Sequence, residues 1–171
     1  MRTIRTVAAL SLACVPLLLI AKGPTLKITM KGSELRSPVE ISDERILGKF
    51  QVWAGAGTTN SGVPGTDGFI VDWEKGLVAE QVSLTLPRYE VTFHVMHQGE
   101  QSSRYVVYYA FDPATGKGYV YLPGKGEAYY ESNTYLIWRG VEGHWLSASS
   151  AWTDVAKSTI ERAKVVGQAA K

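Results

Sequence analysis

The chain has 171 residues, with 18 Lys and Arg against 16 Asp and Glu, three histidines and a single cysteine. One cysteine excludes an intramolecular disulfide, and a near-balanced charge without a basic cluster lacks the electrostatic footprint of a nucleic-acid binder. The length suits a leader followed by one domain able to bury a sizeable core.

In chain order, Arg2 and Arg5 precede an uncharged apolar run over 6–21, which Lys22, Gly23 and Pro24 end. Positive charge before a short apolar segment is the layout of a secretory signal; a membrane span needs roughly 20 apolar residues, and this run is shorter and holds Pro16. Residues 1–23 therefore read as a signal peptide and 24–171 as a single β-rich domain, exported to the periplasm or secreted. The alternative is tethering to the membrane through an uncleaved signal or a lipidated Cys14, although the run stays apolar beyond that cysteine. Loss of Arg2, Arg5 and Lys22 with the leader takes the net charge from +2 to −1.

Leu26, Ile28 and Met30 alternate with Lys27, Thr29 and Lys31, the period of a half-buried strand. Pro38 opens a short second strand at Val39-Glu40-Ile41, and Ser42 with the acids after it predicts a short helix near 42–49, Ser42 serving as its cap. Residues 54–68 hold five glycines and one proline and read as the longest loop. Strands are expected at Phe69–Trp73 and near Val82–Leu86. A hairpin joins Tyr89–Val95 to Tyr105–Phe111 through Gln98-Gly99-Glu100.

Asp112-Pro113-Ala114-Thr115-Gly116 has the residues of a type I turn, returning the chain into Tyr119–Leu122. Thr134–Arg139 and His144–Ser149 suggest a last hairpin, so all strand pairings are expected between near neighbours in sequence. From about 152 to 166, Trp152, Val155, Ala156, Ile160 and Ala163 fall at helical spacing and predict a C-terminal amphipathic helix. Many short strands with frequent turns define a mainly β, antiparallel class, expected as a β-sandwich with a small β-barrel as the alternative.

Catalytic signatures are sparse. No Gly-x-Ser-x-Gly elbow, His-Glu-x-x-His string or calcium loop occurs, and the glycine-rich loop lacks the Gly-Lys-Ser/Thr ending of a phosphate loop. His94 and His97 are three apart in a strand, and so point to opposite faces. No metal and no cofactor is expected. Asp72 with Glu74, or Glu127 with Glu131, could line a cleft, and a small hydrolase using acids and His144 is the alternative function. Gly124-Lys125-Gly126 could form a nest of amide donors for an anion, with a plain turn as the simpler reading.

What stands out is aromatic density: eight tyrosines, Phe111, Trp138 and Trp145 lie between Arg104 and Trp152. Antiparallel sheets favour such residues for packing alone, and Tyr105, Tyr109, Phe111, Tyr119 and Tyr121 read together as one buried face. Rigid rings with polar tips also suit glycan or protein contact. The candidate binding residues are Tyr108, Tyr119, Tyr121, Tyr130, Trp138 and Trp145, in a non-enzymatic extracytoplasmic binding or structural module. Lys31-Gly32 with Leu35, Pro38-Val39-Glu40-Ile41, Pro87-Arg88-Tyr89-Glu90-Val91 and the run from Asp112 to Gly124 together resemble a group of exported bacterial β-rich proteins to which no activity is assigned. That resemblance implies a shared fold and export, and carries over no catalytic residue.

Overall fold

The computed structural model describes residues 22–58, 69–78, 82, 85–97 and 101–169. Residues 1–21 of the leader, most of the long loop and the tip at Gln98-Gly99-Glu100 lie outside the described residues. The class is mainly β: strands β1 (Lys22–Gly32), β2 (Val39–Ile41), β3 (Arg88–His97), β4 (Gln101–Asp112), β5 (Lys117–Tyr121) and β6 (Trp145–Ser147) form one open antiparallel sheet in the order β2-β1-β3-β4-β5-β6. Helices α1 (Glu44–Leu47), α2 (Tyr130–Leu136) and α3 (Ser150–Ala169) complete the regular elements among the described residues. Where the turn spacing pointed to a second stacked sheet, the described residues place α3 and two irregular segments against this one.

Alternation assigns the two faces. Ile28 and Met30 of β1, Tyr89, Val91, Phe93 and Val95 of β3, Tyr105, Val107 and Tyr109 of β4 and Val120 of β5 are buried on the core face. Across it lies α3, whose Trp152 is fully buried, with ring centroids 5.2 Å from Phe50, 6.2 Å from Tyr109 and 6.3 Å from Phe93. The helix begins where Ser149 Oγ accepts the Trp152 N–H, the capping bond that serine is suited to make. It therefore spans more than the expected 152–166. Tyr119 and Tyr121 project from the opposite, outer face, so the single buried aromatic face expected from alternation divides between two faces.

Local signals placed the β3–β4 hairpin and the turn after β4, where Asp112 accepts from the Ala114 N–H and the Thr115 hydroxyl and Gly116 takes a φ of 68°. Four other expectations change. β1 pairs with β3, Ile28 opposite Phe93, so the sheet's centre is a long-range pairing. β1 also begins at Lys22, inside the segment assigned to the leader, and the Gly23 carbonyl accepts the Trp53 indole N–H at 2.6 Å. Asp43, not Ser42, caps α1, its carboxylate accepting from the Arg45 N–H. Phe69–Trp73 contributes only an isolated bridge, Val71 to Ala148, along the edge of β6.

The largest departure is Thr134–Arg139. Its first residues belong to α2, which is docked on β4 beyond the end of β5 by Asn133. The Asn133 side-chain oxygen accepts the Val106 N–H at 2.9 Å, and its amide donates to the Val106 carbonyl at 2.6 Å. One side chain thus makes both bonds that a neighbouring strand residue would make. Gln51 and Trp53 do the same for β1 past the end of β2, at Thr25 N and Gly23 O.

Asn133→Ala leaves a buried N–H and a buried C=O of Val106 without partners. A loss of about 2–4 kcal/mol in unfolding free energy is expected, read from the urea midpoint, against less than about 0.5 kcal/mol for Ser132→Ala on the exposed side of α2.

Candidate functional site

On the outer face, register sets five side chains in one row across the sheet. Lys31 of β1 lies opposite Glu90 of β3, Glu90 opposite Tyr108 of β4, Tyr108 opposite Tyr121 of β5, and Tyr121 opposite Trp145 of β6. Directly opposed residues on one face are in contact range, and the rings pack as a ladder. Centroids are 6.4 Å apart for Tyr108 and Tyr121 and 5.1 Å apart for Tyr121 and Trp145. The Arg88 guanidinium lies over the Trp145 ring at 5.1 Å.

These side chains floor an open groove of about 710 Å³ whose far wall is the turn between β1 and β2, including Leu35, Arg36 and Pro38. That wall is held from behind. Glu34 accepts from Lys164 Nζ of α3 at 2.8 Å and from the Tyr89 hydroxyl, and these donors, Lys164 first, keep its carboxyl below the usual range. A second groove of similar volume, about 750 Å³ between β2 and α3, has no aromatic ring in its lining.

Two carboxylates of the first groove are fixed by tyrosines. The Tyr121 hydroxyl donates to Glu127 Oε1 at 2.9 Å, while Glu127 Oε2 accepts the Gly124 N–H at 2.7 Å. The suspected anion nest at Gly124 is therefore partly occupied by the chain's own carboxylate. The Tyr129 hydroxyl donates to Glu90 Oε2 at 3.1 Å. Tyr129 takes a φ of 70°, a left-handed conformation that costs a bulky residue on the order of 1–3 kcal/mol and here precedes α2.

Of the six aromatic residues predicted from sequence, Tyr108, Tyr121 and Trp145 meet in this groove. Tyr119 shares the face but lines a separate depression with Lys75 and Asp154. Tyr130 opens α2, half-buried, and Trp138 follows that helix with 66% of its surface exposed, so neither joins the ladder. His144 is exposed, with Nδ1 3.0 Å from the Glu142 carbonyl. Asp72 pairs with Lys75 at 2.7 Å. His94 sits on the outer face 3.3 Å from the Thr29 hydroxyl, and burial, then Lys27 and Arg104, lower its pKa. Among the described residues no three His, Cys, Asp or Glu side chains gather as metal ligands, and no helix is long and apolar enough to cross a membrane.

Sequence reasoning missed Arg88, Glu90 and the turn. The parity of Arg88 with Glu90 and Thr92 was available, but its approach to Trp145 depends on the register of four strands. No family model, no curated protein and no solved structure matches the chain.

Burial, with the Glu127 carboxylate adding to it, pushes the Tyr121 hydroxyl up to about 12 from an ordinary 10.0, and burial likewise pushes Tyr109 up to about 12. The folded state holds these protons more tightly than the unfolded chain. Their stabilisation is therefore complete below pH 10 and is lost as the pH rises from 10 to about 12. In a phenolate absorbance titration, part of the nine tyrosines should ionise only above pH about 11, together with loss of the β-sheet signal. A single step near pH 10 with the fold intact would contradict this.

Proposed function

We propose that the chain is a non-enzymatic extracytoplasmic binding module that seats a glycan or a protein segment in the outer-face groove. The observation that carries this reading is the Tyr108–Tyr121–Trp145 ladder with the Arg88 guanidinium over its last ring. A packing role alone would bury such rings, as Tyr105 and Tyr109 are buried; these three are only half-buried and line an open groove. Its volume lies in the ordinary range for ligand sites, about 300–1,000 Å³, and its polar groups converge on the rings. Fixed carboxylates beside aromatic faces orient a ligand without large loss of rotamer entropy. The leader layout supports a location outside the cytoplasm, in the periplasm or secreted.

Binding is measured by thermal shift and calorimetry of the full chain against oligosaccharides and extended peptides, since a ligand selective for the folded state raises Tm. Trp145→Ala is expected to weaken the ligand found by about tenfold or more while Tm falls by no more than about 4 °C. Trp152→Ala, which empties the core, should instead cost about 3–5 kcal/mol of stability. Undiminished binding by the folded Trp145→Ala chain would move the site away from the groove.

A further inference from the structure

We infer that the groove selects acidic glycans, carboxylate-bearing oligosaccharides in particular, with Arg88 as the residue that reads the charge; this rests on the proposal that the groove is a binding surface. Three exposed cations, Lys31, Arg36 and Arg88, line it, and among the described residues none of them is in an ion pair. The two carboxylates there, Glu90 and Glu127, already accept hydrogen bonds from Tyr129 and from Tyr121 with Gly124. They are held in place by their own chain, yet each keeps lone pairs that a ligand hydroxyl can meet.

The cations differ in readiness. Arg88 is the first residue of β3, its backbone in register with Ala110, and its guanidinium is parked on the Trp145 face. A planar fork held over a ring can donate two parallel N–H bonds to a carboxylate, while the half-buried Tyr108 and Tyr121 beside it give the groove floor apolar rings for the C–H face of a sugar. Arg36, on the turn, lines the same groove.

The floor favours a saccharide over an extended peptide. Peptides that add to sheets take their affinity from a free strand edge, and the edge of β6 beside the groove is taken: the Asp72 N–H donates to the Ser147 carbonyl and the Val78 N–H to the Trp145 carbonyl, both at 2.9 Å. What remains is a row of rings crossing three adjacent strands, about 10 Å long at the usual strand spacing, bordered by hydroxyls, carboxylates and cations. A short polyhydroxylated chain carrying negative charge complements each of these groups.

The test is calorimetry of the full chain with matched pairs: oligogalacturonate and its methyl ester, and glucuronate and mannuronate oligomers with their carboxyl-reduced forms. At least one acidic member should bind about tenfold or more tightly than its neutral partner, with a preference that shrinks as salt is raised. Arg88→Met should bring the acidic ligand down to the affinity of the neutral one. Arg88→Lys, which keeps the charge and loses the fork, should retain part of the preference and guards against a folding defect in the first variant. Equal binding of acid and neutral forms, abolished by Trp145→Ala, would overturn the charge selectivity and leave the groove as a binding site. Binding of peptides alone would overturn the glycan assignment. Binding of nothing among these pairs, the neutral oligosaccharides and the extended peptides would overturn both this inference and the proposal beneath it.

Discussion

The Arg139 guanidinium ties the irregular stretches around Val52–Ala56 and Phe69–Trp73 to Tyr105 of β4. Only 5% of Arg139 is exposed, and among the described residues no carboxylate pairs with it. It donates to the Tyr105 hydroxyl and to the carbonyls of Val52, Ala54 and Ala56, and lies 4.4 Å from the Phe69 ring centroid, with Trp73 and Tyr105 at 5.2 and 5.3 Å. Desolvating a cation is costly, and here carbonyl dipoles and aromatic faces offset the cost where a counter-ion would otherwise be needed. In return, a segment with no strand partner has three of its carbonyls satisfied. Four stretches distant in sequence meet on one planar group.

That cage and α3 together cover the core face, so the outer face is left to solve its own exposure. It does so by grading its chemistry along the strands. Lys27, His94 and Arg104 lie in one register row, Thr29 and Thr92 in the next, and the aromatic ladder crosses the other end of the sheet. The groove therefore lies where the outer face carries its aromatic row, and it is walled by the turn that Glu34 ties to α3 through Lys164. Fold and candidate site share this dependence, since the wall is positioned by contacts made on the core side.

Elements governed by neighbours in sequence were legible: the alternation of β3 and β4, the Asp112–Gly116 turn, and the helical spacing of Trp152, Ala156 and Ile160. Elements governed by distant partners were not. Thr134, Tyr135, Leu136 and Ile137 have strand-like side chains, yet the segment is helical into Leu136 because that places Asn133 against Val106, a tertiary contact that outweighs propensity. Phe69 and Trp73 look like strand residues, but their rings are committed to the Arg139 cage. Parity placed Tyr108, Tyr121 and Trp145 on alternating strand positions without deciding which face they share. Trp138 stands apart from the ladder because the expected Thr134–Arg139 strand is a helix and its exit, and Tyr130 because it opens that helix.

Substituting side chains for missing strands has a further consequence for the whole molecule. A newcomer seeking to extend this sheet beside β4 must first evict Asn133 from both hydrogen-bonding groups of Val106, and beside β1 it meets Gln51 and the Trp53 indole already in position. Open sheets are prone to self-association through such borders. Here the positions past the ends of β5 and β2 are stoppered by amides and an indole, so at those places the sheet offers no free backbone groups for another strand to pair with.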